Sequence, residues 1–258
     1  MKLDTLKFAI KNLFYFSFRR SGIKLNLYQN NFDELRKNGY SVIKNYLPNE
    51  VCKKLCDEIS NLVLTKQKKI WVSESLDFRY WGFEKNSIEA KNFLNDDNLI
   101  KLIKKYECQR EMIFSTTLCS TIKYVENGKG SGGGWHRDRT FYKYKYSKIM
   151  SYLNNVDEKN GPFQYLKKSH LFTNIVRANN ILKNRYSDKW FTNEQVEKIS
   201  KMTGLKIVTI IADPGDLIIF DGTGIHRGKP LEAGERYSLT NYYRFDPMEK
   251  NLKFNEQN

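Results

Sequence analysis

The stretch PGDLIIFDGTGIHRG, Pro214 to Gly228, turns, runs straight and turns again before it reaches a histidine. Asp213-Pro214-Gly215-Asp216 is turn chemistry: proline presets one φ and glycine admits the conformation that other residues resist. Leu217 to Phe220 is an apolar run too short for a helix and bounded by turn residues, which reads as a buried strand. His226 follows it, in Gly224-Ile225-His226. The same grammar repeats outward. Leu205 to Ala212 is a near-continuous apolar strand upstream, and Arg236 to Phe245 is the last strand downstream. Further back, Ile113 to Val125, Ile149 to Val156 and Phe163 to Leu166 read as strands. The glycine-rich Gly128 to Gly134 and the turn Asn160-Gly161-Pro162 separate them.

Before Glu111 the texture differs. Leu35 onward reads as a helix end, a turn at Asn38-Gly39 and a short strand from Tyr40 to Tyr46. Pro48 and Asn49 then open a helix with Val51, Leu55, Ile59, Leu62 and Val63 at helical spacing. Residues 96 to 106 carry Leu99, Ile100 and Ile103 on one side of another helix. Helices first, then many strands with turns at short intervals, predict a mostly β fold: a sandwich or barrel with N-terminal helices packed on it. A polar excursion from 173 to 204 interrupts the strands. Its Thr192 to Gln195 capping box and its stop at Gly204 predict a helical insertion, placed to act as a lid. No linker divides the chain. The expected organisation is an N-terminal helical extension over 1–34 and one β domain over 35–250.

Composition sets limits. The 258 residues are 40% hydrophobic and 14% aromatic, enough for a real core and far from a disordered chain. The formal charge of +15 is compatible with an acidic partner, but no single basic block dominates, so a lysine-rich solvated surface is the simpler reading and nucleic acid is not the expected partner. Cys52, Cys56, Cys108 and Cys119 form no close CxxC pair and read as free thiols in a reducing, cytoplasmic setting. No run of about eighteen apolar residues predicts a membrane span. The segment Phe8 to Arg20, FAIKNLFYFSFRR, is apolar and aromatic with basic flanks. It is compatible with an amphipathic helix lying on the inner face of a membrane, although such helices more often pack on their own domain.

The chain has three histidines, His136, His170 and His226, so a metal site has few candidates. Trp135-His136-Arg137-Asp138 places an imidazole and a carboxylate two residues apart, on the same side of an extended segment. His226 is the natural third ligand. Two histidines and one carboxylate on one face of an ion suit Fe(II) and leave positions open for a chelating 2-oxoacid and O₂. The absence of a thiolate argues against structural zinc. Arg236 and Ser238 share a face of the last strand, and a guanidinium fork with a hydroxyl suits a carboxylate.

The sequence resembles the phytanoyl-CoA dioxygenase-like oxygenases from about Leu35 to about Phe245. The resemblance rests on five segments in order: LRKNGYSVIKNYLPNEVCKKL (35–55), WHRD (135–138), YLNNVDEKNGPFQYLKKSH (152–170), PGDLIIFDGTGIHRG (214–228) and Arg236-Tyr237-Ser238. It implies a double-stranded β-helix barrel of the jelly-roll, cupin-like type. It implies Fe(II), 2-oxoglutarate and O₂, with His136, Asp138 and His226 as iron ligands and Arg236 as the anchor of the co-substrate. The implied reaction is hydroxylation, with succinate and CO₂ as co-products. Halogenating relatives lack the carboxylate that Asp138 supplies here. One position departs from the pattern: Lys168 stands where the family usually has glycine before Ser169-His170. That residue shapes a turn, and His170 is expected to be structural.

The substrate is less legible. Trp135, Arg137, Arg139 and Tyr142 lie near the ligands, and Arg79 and Trp81 form a second cationic and aromatic cluster. Such side chains suit a small anionic or sugar-linked metabolite. The alternatives are an oxygenase acting on nucleic acid or protein, and a non-catalytic ligand-binding member of the fold. Oligomeric state is not readable from the residues.

Overall fold

The computed structural model describes residues 21–65, 70–73, 76–109, 111–139 and 146–245, together with Ile10. Apart from Ile10, the basic, aromatic N-terminal segment lies outside the described residues, as does Tyr142. Six helices are described: α1 (Gln29–Asn38), α2 (Asn49–Leu64), α3 (Ile88–Leu94), α4 (Asp97–Glu107), α5 (Phe172–Leu182) and α6 (Asn193–Thr203). The first runs across residues 34 and 35 and buries Phe32 and Leu35. The strands are β1 (Tyr40–Ile43), β2 (Trp71–Val72), β3 (Asp77–Trp81), β4 (Phe114–Lys123), β5 (Trp135–His136) and β6 (Ser147–Tyr152), followed by β7 (Phe163–Leu166), β8 (Trp190–Phe191), β9 (Ile207–Ile210), β10 (Leu217–Asp221), β11 (His226–Gly228) and β12 (Glu235–Arg244).

They build two antiparallel sheets. One has seven strands in the order β1-β10-β6-β12-β4-β3-β2, and the other has five, β8-β5-β11-β7-β9. The sheets pack face to face as a jelly roll, and among the described residues they do not close into one continuous barrel.

Period-two alternation explains the layering. On β10, Leu217 and Ile219 face one way, into a cluster with Leu35, Leu55, Ile59, Leu99 and Ile103 of the helices. Ile218 and Phe220 face the other way, into a cluster between the sheets with Tyr152, Phe163 and Tyr165. β12 obeys the same rule: Leu239 and Tyr243 join the helical core, while Arg236, Ser238, Thr240 and Tyr242 line a cavity between the sheets. A third cluster packs α5 and α6 against Trp135, Leu166, Phe191 and Ile225 behind the five-stranded sheet.

Helix ends follow local chemistry. Asp96 accepts from the backbone N–H groups of Asn98 and Leu99 and starts α4. The Thr192/Gln195 capping box is present at the start of α6, and Gly204 at φ 74° ends it. Lys168 adopts φ 68°, the left-handed conformation that glycine takes at least cost, while its N–H donates to Asn38 O at 2.8 Å. The 173–204 excursion is mostly α5, β8 and α6. β8 pairs with β5, so the insertion extends the second sheet instead of hanging free.

Candidate active site

β5 and β11 are adjacent strands of the second sheet, with His136 directly opposite His226. That register sets the imidazole centroids 4.5 Å apart. Asp138 follows β5 in a bend, held by its N–H to the Gly222 carbonyl at 2.8 Å. The three residues place one ligand atom each within 4.8 Å of one another. His226 Nε2 lies 3.4 Å from Asp138 Oδ2, and His136 Nε2 lies 3.7 Å from Asp138 Oδ1.

The donor set fits a divalent metal. His136 Nδ1 lies 2.8 Å from Gly134 O, and His226 Nδ1 lies 2.9 Å from Gly224 O. A carbonyl can only accept, so both Nδ1 atoms carry the proton and both Nε2 lone pairs are left for an ion. Asp138 Oδ2 is buried without a hydrogen-bond partner among the described residues. Such a group is costly unless something else satisfies it.

Electrostatics agree. Burial pushes the Asp138 carboxyl upward, but opposing charge, the Lys148 ammonium first, holds the group well below the ordinary carboxylate value. Burial lowers the His226 imidazole below its usual value, which favours the neutral ligand form.

Backbone approaches the site closely at two glycines. A Cβ on Gly132, whose φ is +83°, would stand 2.7 Å from His136 Cε1. A Cβ on Gly222 would collide with Asp138 Oδ2.

The triad opens into a cavity of about 170 Å³ lined by both sheets. Arg236 enters it from β12, 4% exposed, with Nη1 donating to Gly161 O and its guanidinium 5.6 Å from the Tyr152 ring centroid. Arg236 Nε has no partner among the described residues. Ser238 lies two residues on, its Oγ 2.9 Å from Ser120 Oγ. Arg79 lines the same cavity and is held by Asp77 and Ser131.

The other sequence candidates fall elsewhere. Trp135 is buried in the core behind the second sheet with Arg227 over its ring at 4.5 Å, and it does not line the cavity. Arg137 is buried over Phe191, again on the far side of the strand from His136. The period of two that aims His136 inward aims its neighbours outward. Trp81 packs at a tilt against Tyr242, which lines the cavity, with ring centroids 4.7 Å apart, and Arg139 sits over Tyr146. His170 is buried, its Nε2 3.1 Å from Arg36 O, and it takes no part in the triad.

Three residues escaped sequence reading. Lys148 lines the cavity with Nζ 2.8 Å from Asp138 Oδ1. Its one sequence signal is a charge on the inward row of a strand that also carries Met150 and Tyr152. Trp71 and Trp190, 41% and 61% exposed, line a second cavity of about 540 Å³ that shares Arg79 and Gly132 with the first. The Trp190 indole is 5.1 Å from the His136 ring. Only β8 pairing brings it there.

The family model described as phytanoyl-CoA dioxygenase matches residues 35–235. Among solved structures, the apoform of EctD from S. alaskensis superposes with a TM-score of 0.65 at 14% identity, over 88% of this chain and 80% of that one. The non-heme alpha ketoglutarate dependent epimerase SnoN from nogalamycin biosynthesis gives 0.62 at 13% identity, over 83% and 79%. A Pseudomonas putida prolyl-4-hydroxylase gives 0.55 at 14% identity, over 84% and 98%. EctD has been crystallised with Fe and with 2-oxoglutarate and 5-hydroxyectoine. A search of curated proteins finds no significant sequence match.

Proposed function

This chain belongs to the phytanoyl-CoA dioxygenase family and is a 2-oxoglutarate-dependent non-haem iron dioxygenase; on that premise we propose that it hydroxylates a small anionic or sugar-linked metabolite, with His136, Asp138 and His226 as the metal ligands. The reading rests on one observation above the rest. The facing His136 and His226, the carboxylate of Asp138 and the guanidinium of Arg236 all open into the same cavity. When bound there, iron would supply the oxidant for a C–H bond at the expense of 2-oxoglutarate and O₂, and 2-oxoglutarate would be released as succinate and CO₂.

The chain's own residues do the rest. The two histidines present Nε2 because Gly134 and Gly224 hold their Nδ1 protons. Arg236 and Ser238 take the distal carboxylate of 2-oxoglutarate, with the buried guanidinium giving a charge-assisted fork. Phe163, Phe220 and Tyr152 wall the cavity with rings and keep water from the reacting atoms. The substrate enters through the second cavity, where Trp71 and Trp190 offer indole faces and Arg79 and Lys129 offer charge. Indole faces suit the C–H face of a ring, and the cations suit a phosphate or carboxylate.

The expected test outcome is a visible charge-transfer band when Fe(II) and 2-oxoglutarate are added anaerobically to the metal-free protein, lost in His136→Ala. A folded, iron-loaded protein with no band would refute the co-substrate assignment. Turnover is then read as succinate release across anionic and glycosylated candidates. A substrate set in which only uncharged, sugar-free compounds are oxidised would overturn the substrate class.

A further inference from the structure

We propose that Lys148 is a positioning residue: it grips Asp138 by Oδ1 so that the carboxylate offers Oδ2 alone to the metal. The inference rests on reading the triad as the metal site, and goes beyond it by naming what orients the one ligand that can rotate. The imidazoles are each held by a backbone carbonyl. A carboxylate on a bend has no such fixture and could turn either oxygen, or both, toward an ion.

Lys148 supplies the fixture. Its Nζ lies 2.8 Å from Asp138 Oδ1, with the side chains 9% and 13% exposed. Oδ2 has no hydrogen-bond partner among the described residues and faces His226 Nε2 at 3.4 Å. The ammonium and an ion at the triad therefore use different oxygens, and one need not displace the other.

The lysine is held in turn. It stands on β6 between two partners in register, Phe220 on β10 and Tyr242 on β12. Its Nζ lies 4.8 Å from the Tyr242 ring centroid, 5.5 Å from that of Tyr146 and 5.8 Å from that of Phe220. Aromatic walls on several sides restrict the four-carbon stem, so little rotamer freedom remains to be lost. A buried ammonium needs its carboxylate, and the carboxylate needs a donor. A carboxylate that gives one oxygen to an ion would leave it room for both a chelating 2-oxoacid and O₂, whereas one that gives both would take one of those positions.

Co(II) titration of the metal-free protein, followed by calorimetry and by its ligand-field spectrum, tests this without turnover. Lys148→Met should weaken Co(II) binding about tenfold to a hundredfold, the usual loss when an outer partner of a ligand is removed, and should alter the spectrum. Lys148→Arg, which keeps a charged donor among the rings, should recover affinity to within about threefold of the native protein. If the Met variant does not fold, Lys148→Gln, too short to reach Asp138, serves as the loss variant. A loss variant that binds Co(II) as tightly as the native protein, or more tightly, overturns the positioning role and leaves the triad standing. Failure of the native protein to bind Co(II) removes the triad reading itself, and this proposal with it.

Discussion

Gly222→Ala places a methyl group where Asp138 already is. Gly222 follows β10, donates its N–H to Tyr146 O at 2.7 Å and accepts from Asp138 N at 2.8 Å. Its φ is not in the left-handed region, so alanine suits the backbone and the effect is purely one of space. The added Cβ would overlap Asp138 Oδ2 and stand 3.0 Å from both Asp138 Cγ and Tyr146 Cδ1. Restoring ordinary contact moves the carboxylate by about 1 Å. Metal–ligand distances tolerate only about 0.2 Å, so the ion should lose this ligand. The overpacking should cost about 1–3 kcal/mol, partly offset by the smaller conformational freedom of unfolded alanine, about 0.4–1 kcal/mol. At about 2–4 °C per kcal/mol the melting point should fall by no more than about 12 °C. The protein should remain folded by circular dichroism yet fail to develop the band with Fe(II) and 2-oxoglutarate. A variant with native affinity and a native melting point would show that the carboxylate is not confined by this glycine, and the account of the site would be wrong there.

Three further outcomes are expected. Arg236→Ala should raise the 2-oxoglutarate concentration for half-development of the band by roughly 10- to 150-fold, the loss of a charged hydrogen bond worth about 1.5–3 kcal/mol; an unchanged half-point would place the distal carboxylate elsewhere. Leu55→Ala, in the fully buried helical core, should cost about 2–5 kcal/mol while leaving Co(II) affinity native, and coupled loss of both would contradict the separation of that core from the site. Burial pushes the Cys52 thiol to about 11, Cys56 to about 12 and Cys119 higher still, so all three are protonated at pH 8 and should resist Ellman's reagent until the protein unfolds. The sign for stability follows: unfolded thiols ionise from about 9 and folded ones do not, so stability should fall as pH rises above about 9, measurable by urea melts at pH 8 and 10.

The sequence by itself determined the strands, because alternation and turn residues are local: Leu217 to Phe220, Phe163 to Leu166 and the strand opened by Arg236 all stand where their patterns put them. It also pointed to His136, Asp138 and His226, because a chain with three histidines offers few sets of ligands. Tertiary structure decided which neighbours of those ligands face the cavity. Trp135 and Arg137 sit beside His136 in sequence but on the opposite face of the strand, where the helical insertion covers the one and Phe191 the other. Lys148 is ten residues from Asp138 along the chain, and Trp190 is fifty-four from His136. Pairing within a sheet places Trp190 and the packing of one sheet on the other places Lys148, and no local pattern encodes either. A register match is a long-range event, and its chemistry is visible only when the partner strand is present.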